Sequence, residues 1–224
     1  MSRIHLFAEP AALDVQLNHS ALLIIDMQCD FLEPGGFGAA LGNDVSRLKA
    51  AVGPCKNVLG AARGLGMLVI HTREGHRPDL SDLPPAKKIR GRSATSIGDA
   101  GPMGRILVRG EAGHDIIPEL YPKPGEPVID KPGKGAFHAT DLHAILQHRD
   151  VKQLVVTGVT TEVCVNTTVR EANDRGYDCL VLEDCCGSYF PEFHAMGLKM
   201  IKAQGGIFGW VTRSPDVMAA LAHA

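Results

Sequence analysis

The sequence predicts a three-layer α/β fold: a doubly wound, Rossmann-like, mostly parallel sheet of about six strands with helices on both faces. Three observations carry that prediction. Short continuous apolar runs suited to strands buried on both faces recur along the chain, stretches with helical character separate them, and glycines stand where several of those stretches stop. The first run is Ala21-Leu-Leu-Ile-Ile25, closed by Asp26, and the second is Met67-Leu-Val-Ile70. Between them Asn43 or Asp44 can cap a helix reaching about Leu65, with Gly66 as its stop. Pro127-Val-Ile-Asp-Lys131 is the third strand, followed by a helix from about Thr140. Gln153-Leu-Val-Val-Thr157 is the fourth, and its helix runs to about Asp174, before Gly176. Cys179-Leu-Val-Leu-Glu183, a helix from about Pro191 to Ala203, the strand Gly206-Ile-Phe-Gly-Trp-Val211 and a last helix from about Ser214 complete the pattern.

Composition narrows the function classes. A chain of 224 residues with 45% hydrophobic content can bury a substantial core, and residues 1–224 are read as one domain. The exception to the alternation is 72–121, rich in Gly, Pro and charge, which is read as an ordered cap over the site. A net charge of −2 leaves no surplus to neutralise phosphates, which argues against nucleic acid and anionic membranes as partners. The first ten residues contain no apolar leader core, and no run approaches the ~18 residues a spanning helix needs. Six cysteines without C-x-x-C spacing suggest a reducing compartment, so the expected location is the cytoplasm. Adjacent Cys185 and Cys186 are read as two packed thiols, vicinal disulfides being strained.

In an open parallel sheet, ligands bind beyond the carboxyl ends of the strands. That rule collects Asp26 after the first strand, Lys131 at the end of the third and Cys164 after the fourth. The run Val155-Val-Thr-Gly-Val-Thr-Thr-Glu-Val-Cys-Val165 breaks at Gly158 and delivers Cys164 into a helix start, where free N–H groups and the macrodipole are expected to lower the thiol pKa. A carboxylate, an ammonium and a thiol on one edge form a nucleophilic set. Asp26 can take the thiol proton, Lys131 can balance both anions, and Cys164 can attack a carbonyl carbon.

Three segments, Ile25-Asp-Met-Gln28, Asp130-Lys-Pro-Gly-Lys-Gly-Ala-Phe137 and Gly158-Val-Thr-Thr-Glu-Val-Cys-Val165, resemble the signatures of the isochorismatase-like cysteine hydrolases, with similarity from about Ser20 to Val211. Within that family the chain looks most like the biuret hydrolases, on His71–Leu80, Asp115–Pro122, Arg170–Tyr177, Leu182–Gly187 and Gln204–Gly209. The resemblance implies the isochorismatase-like hydrolase fold, with Cys164 as nucleophile, Asp26 as general base and acid, and Lys131 as the third member of a triad. It implies an oxyanion hole from the backbone N–H groups of Thr160 and Cys164, with a cis peptide between Val159 and Thr160. Gln204 matches the position where biuret hydrolases bind the ureide, and an amide side chain suits a neutral substrate with N–H and C=O groups. Lys134, Phe137 and Glu74 are further candidates for substrate contact. A homotetramer is the assembly the resemblance suggests.

Departures from relatives matter as well. Nicotinamidases in this family hold a metal with an Asp-x-His pair and a further His. Here Glu74-Gly-His76 occupies a similar place, but no His follows until His114, so neither a metal nor another cofactor is expected. The predicted chemistry is hydrolysis of a terminal carbamoyl C–N bond of a small linear ureide, biuret to allophanate and ammonia, or an analogue such as triuret. The alternatives are the same chemistry on a ureidoacrylate, an N-carbamoyl amino acid or nicotinamide, and a non-catalytic binding protein on the same fold. The acids require a cation facing their carboxylate, which Arg73, Arg77 or Lys134 can supply. A dinucleotide-binding protein is disfavoured, because Asp26-Met-Gln-Cys-Asp-Phe31 replaces the expected glycine-rich turn.

Overall fold

Why the first strand lies at the centre follows from its sequence: six residues without a charge, every one of them buried, can be satisfied only with a neighbour on each side. In the computed structural model, which describes residues 3–88 and 95–222, this strand is the third in chain order. The strands are β1 (Arg3–Leu6), β2 (Leu13–Gln16), β3 (Ser20–Ile25), β4 (Leu68–Glu74), β5 (Ala100–Gly101), β6 (Gly104–Arg105), β7 (Val128–Lys131), β8 (Gln153–Val159), β9 (Asp178–Gly187) and β10 (Trp210–Thr212). The helices are α1 (Cys29–Leu32), α2 (Phe37–Ala40), α3 (Ser46–Lys49), α4 (Val52–Gly64), α5 (Pro85–Lys88), α6 (Leu142–His148), α7 (Asn166–Asn173), α8 (Pro191–Gly206) and α9 (Ser214–Ala222). Of the expected cap, residues 89–94 lie outside the described residues.

The main sheet has the order β10-β9-β8-β3-β4-β7, and every pair in it is parallel. The order reverses at β3, with β4 and β7 on one side and β8 to β10 on the other, so the crevice between β3 and β8 is the ligand position of a doubly wound sheet. Alternation along β3 sends Leu22 and Ile24 to one core, with Val58, Leu59 and Val217 of α4 and α9. Leu23 and Ile25 face the other, with Leu142, Val169 and Leu198 of α6, α7 and α8. These are the two helical layers. Among the described residues no helix is long and apolar enough to cross a membrane.

Several boundaries differ from the sequence prediction. The helix expected from Asn43 or Asp44 to Leu65 is two helices. Asp44 does accept the Ser46 N–H at 3.1 Å, but Pro54 has no N–H to offer the Ala50 carbonyl, and α4 restarts at Val52. Gly66 ends it at φ 65°. β9 extends to Gly187 because Asp184 satisfies the N–H and hydroxyl of Ser214 instead of breaking the strand. β10 is confined to Trp210–Thr212, since Gly209 (φ 143°) turns against the Cys179 carbonyl. The hairpin of β1 and β2 was not anticipated; it packs Ile4, Leu6 and Val15 onto the α4 and α9 layer. Cys185 and Cys186 are buried free thiols.

Gly158 fixes how β8 meets β3. Its φ is 114°, and a Cβ there would collide with the Ile25 carbonyl oxygen, one residue before Asp26. Gly158→Ala is expected to destabilise the fold by roughly 2–4 kcal/mol, from strain plus displaced backbone. A urea midpoint unchanged from wild type would contradict this packing.

Candidate active site

Each predicted triad member emerges at the carboxyl edge of its own strand. Asp26 follows β3 in the left-handed region at φ 51°, costly for a residue with a Cβ. Thr72 of β4 holds it there: its carbonyl accepts the Asp26 N–H at 3.1 Å, and its hydroxyl donates to Asp26 Oδ1 at 2.6 Å. Lys131, the last residue of β7, reaches past β4 to place Nζ 2.7 Å from Asp26 Oδ2. Nζ also donates to the carbonyls of Gly133 (3.1 Å) and Lys134 (2.9 Å), so this buried ammonium is fully used. Cys164 follows β8 in a π-turn, Thr161–Val165, entered through a cis peptide between Val159 and Thr160.

Glu74 is the fourth member of the cluster. It ends β4 opposite Lys131, and the Cys164 thiol points at its Oε2 at 3.6 Å. Its other oxygen takes Lys134 Nζ at 2.7 Å and Lys87 Nζ at 3.1 Å. Gln28 fixes its backbone, accepting the Glu74 N–H at 2.7 Å and donating to the Glu74 carbonyl at 3.0 Å. Oxygens of Asp26 and Glu74 and the Cys164 sulfur lie within 4.8 Å of one another. Asp26, Glu74 and Lys131 are 0% exposed and Cys164 is 4% exposed, so solvent does not weaken these interactions.

The electrostatics correct one expectation. Burial pushes the Cys164 thiol well above its ordinary pKa; Lys131 pulls the other way, while Asp26 and Glu74 add to the rise. Desolvation therefore outweighs the position before α7, and burial works against the thiolate. Burial also opposes ionisation of Glu74, but Lys134, Lys131 and Lys87 outweigh it and hold the carboxyl at about 2. Burial works against the Lys131 cation too, yet Asp26, Cys164 and Glu74 raise its pKa above the ordinary lysine value.

Glu74 gives the fold a dependence on acid. Its pKa of about 2 in the folded state lies below the ordinary 4.5 of an unfolded chain, so its contribution is complete above about pH 4.5 and disappears as pH falls toward 2. Glu126, also at about 2, acts with the same sign: burial opposes its ionisation, and Arg63 foremost overcomes that. The urea midpoint is expected to drop across that window, with Glu74 accounting for a few kcal/mol. A Glu74→Gln variant whose loss on acidification equals that of wild type would contradict the assignment.

The remaining candidates separate. Lys134 is at the site, through its pair with Glu74. Phe137 is a packing residue: its ring stacks on Tyr177 at 5.9 Å and carries the Arg175 guanidinium at 4.8 Å. Gln204 is exposed at the break that ends α8, φ 50°. Since α8 returns the chain to the start of β10, parallel to β9, Gln204 sits at the opposite edge of the sheet from Cys164, and within one chain it does not reach the thiol. Sequence reasoning missed Thr72, Gln28 and Lys87. The first two lie inside quoted motifs, but nothing distinguished Lys87 from Lys88 in a charged stretch. Asp26, Glu74 and Cys164 have the composition of a cation site. Three ammonium groups already face Glu74, which leaves no negative charge in excess to attract a divalent ion.

A cavity of about 580 Å³, lined by Phe37, Lys87, Pro132, Lys134 and His138 among others, opens on the outer side of the Glu74 pairs. Fold and side chains together define a class, a doubly wound α/β hydrolase with a cysteine at the crevice where strand order reverses. Residues 20–216 match the isochorismatase domain, and the chain belongs to the isochorismatase family. It is similar to a cysteine hydrolase from Pseudomonas syringae pv. phaseolicola 1448A (25% identity, covering 100% of this chain and 99% of that one, TM-score 0.78). It is similar also to a hydrolase of the isochorismatase family from Chromobacterium violaceum ATCC 12472 (30%, covering 96% and 100%, TM-score 0.70) and to an isochorismatase family protein from Desulfovibrio vulgaris subsp. vulgaris str. Hildenborough (28%, covering 91% and 98%, TM-score 0.74).

Proposed function

We propose that the protein is a cysteine amidohydrolase that cleaves a terminal carbamoyl C–N bond of a small linear ureide, converting biuret to allophanate and ammonia. The observation that supports this most is the buried thiol beside an Asp26–Lys131 ion pair at the switch point of the sheet. In the reaction, Asp26 takes the Cys164 proton and the thiolate adds to the carbamoyl carbon. The backbone N–H groups of Thr160 and Cys164 hold the oxyanion. Collapse breaks the C–N bond, Asp26 returns its proton to the departing nitrogen, and ammonia leaves a thiocarbamate on Cys164. Water, deprotonated by Asp26, adds to the same carbon; the C–S bond breaks and the acid product departs. Lys131 remains charged throughout and balances whichever anion is present. The chain needs no cofactor for these steps, and we place the enzyme in the cytoplasm as a homotetramer.

A second reading is the same chemistry on an anionic amide such as an N-carbamoyl amino acid. It draws on Lys134, whose side chain is 45% exposed where it lines the outer cavity. Arg73 is already paired with Asp130 and Asp115 and is a poor candidate for the carboxylate. Ammonia release from biuret, triuret, a ureidoacrylate, nicotinamide and N-carbamoyl amino acids decides between these. Turnover of biuret or triuret alone supports the first reading, turnover only of the acids supports the second, and an inert enzyme sinks both.

A further inference from the structure

Among the described residues, four of the five charged side chains around Cys164 come from the sheet edge: Asp26 after β3, Glu74 on β4, Lys131 on β7 and Lys134 just beyond it. The fifth comes from the cap. Lys87, on the short helix α5, inserts its ammonium into a notch made of Glu74 Oε1 (3.1 Å), His76 Nε2 (3.0 Å) and the Pro132 carbonyl (2.6 Å). Three acceptors meet its three hydrogens, and the side chain is only 18% exposed. His76 is itself held from behind by Asp82, at 3.2 Å from Nδ1, and Asp82 also pairs with Arg109. A lysine that merely decorated the cap would have its nitrogen in solvent.

The charge count gives the reason for this arrangement. Among the described residues, two carboxylates and three ammonium groups leave the cluster at +1 with the thiol intact and at zero with the thiolate. Without Lys87 the same two states stand at zero and −1, and the thiolate becomes an excess negative charge in a site that is almost fully buried. Glu74 is where that difference is transmitted, because one of its oxygens meets Lys87 and the other meets the thiol.

We propose that Lys87 is a positioning residue which neutralises Glu74 from the cap and so allows Cys164 to ionise in a buried site. The inference rests on the reading above only in taking Cys164 as the nucleophile. The cap thereby supplies part of the nucleophile's reactivity.

The test is alkylation of the full-length protein by iodoacetamide as a function of pH, with the labelled peptide containing Cys164 identified by mass spectrometry. No substrate is involved, so an inert ammonia assay beside the expected labelling pattern would sink the proposed function and leave this inference standing. Lys87→Met is expected to move the labelling profile to higher pH and slow labelling at neutral pH by about tenfold, as a shift of one pKa unit requires. Lys87→Arg, which keeps the charge, is expected to recover most of the wild-type profile. In a Glu74→Gln background Lys87→Met should produce no further shift. A Lys87→Met profile that superimposes on wild type overturns the proposal, as does faster labelling at every pH without a moved midpoint, which would make Lys87 only a cover. An equal shift in the Glu74→Gln background overturns the route through Glu74. If Lys87→Met does not fold, Lys87→Gln carries the same comparison.

Discussion

Cys164→Ala will release no ammonia from any substrate that the wild-type protein turns over, a loss of roughly four orders of magnitude or more, while the fold stays intact. The first half follows from the proposed chemistry: without sulfur no acyl intermediate forms, and the remaining groups can only polarise a carbonyl that nothing attacks. The second half follows from the position of the side chain. Cys164 is 4% exposed and, among the described residues, its thiol makes one polar contact, the 3.6 Å approach to Glu74, so an alanine leaves a small cavity but no unpaired charge. Ammonia assays and thermal melts of the two proteins side by side check both halves. Residual turnover at a tenth of the wild-type rate would place the nucleophile elsewhere.

Lys131→Met is expected to cost stability as well as activity. The ammonium lies 2.7 Å from Asp26 with both side chains 0% exposed, and removing it leaves Asp26 buried without its counter-charge. Breaking one side of such a pair costs about 3–5 kcal/mol. The double variant Asp26→Asn, Lys131→Met should regain much of that stability, since it removes both charges, yet remain inactive because no group is left to carry the proton. Urea unfolding of the two single variants and the double variant measures the coupling. Additive losses would mean that the pair does not act as a unit.

The parts of this molecule written in short-range pattern were legible, and the parts decided by distant contacts were not. The apolar run from Ala21 to Ile25 reads as a strand buried on both faces, and a strand of a parallel sheet that ends in Asp26 points to a crevice. Asp26, Lys131 and Cys164 could be gathered on one edge because each follows such a run. The reach of Lys131 across β4 to Asp26 was not legible, since it depends on strand order, and neither was the insertion of Glu74 between the thiol and two lysines. The depressed thiol pKa expected from a turn before a helix failed for the same reason. Local sequence reports the position before α7, whereas the depth of burial that dominates it comes from tertiary packing, with Val169 of α7 and Leu198 of α8 in the same core. The placement of Gln204, away from Cys164 of the same chain, was not legible, because it depends on where α8 breaks and on the strand that follows. Lys87, one of two adjacent lysines in a charged segment, acquires meaning only once Glu74, His76 and Pro132 surround it.

Nucleophilic catalysis by Cys164 on a small carbamoyl compound requires a covalent acyl intermediate. Rapid acid quenching of the enzyme during turnover of biuret, followed by mass spectrometry of the intact protein and of its peptides, tests it directly. An added ureidocarbonyl group is expected on the peptide carrying Cys164, present while substrate remains and absent once it is consumed. Steady release of ammonia with no adduct on Cys164, from an enzyme whose Cys164→Ala variant still turns over, would contradict it.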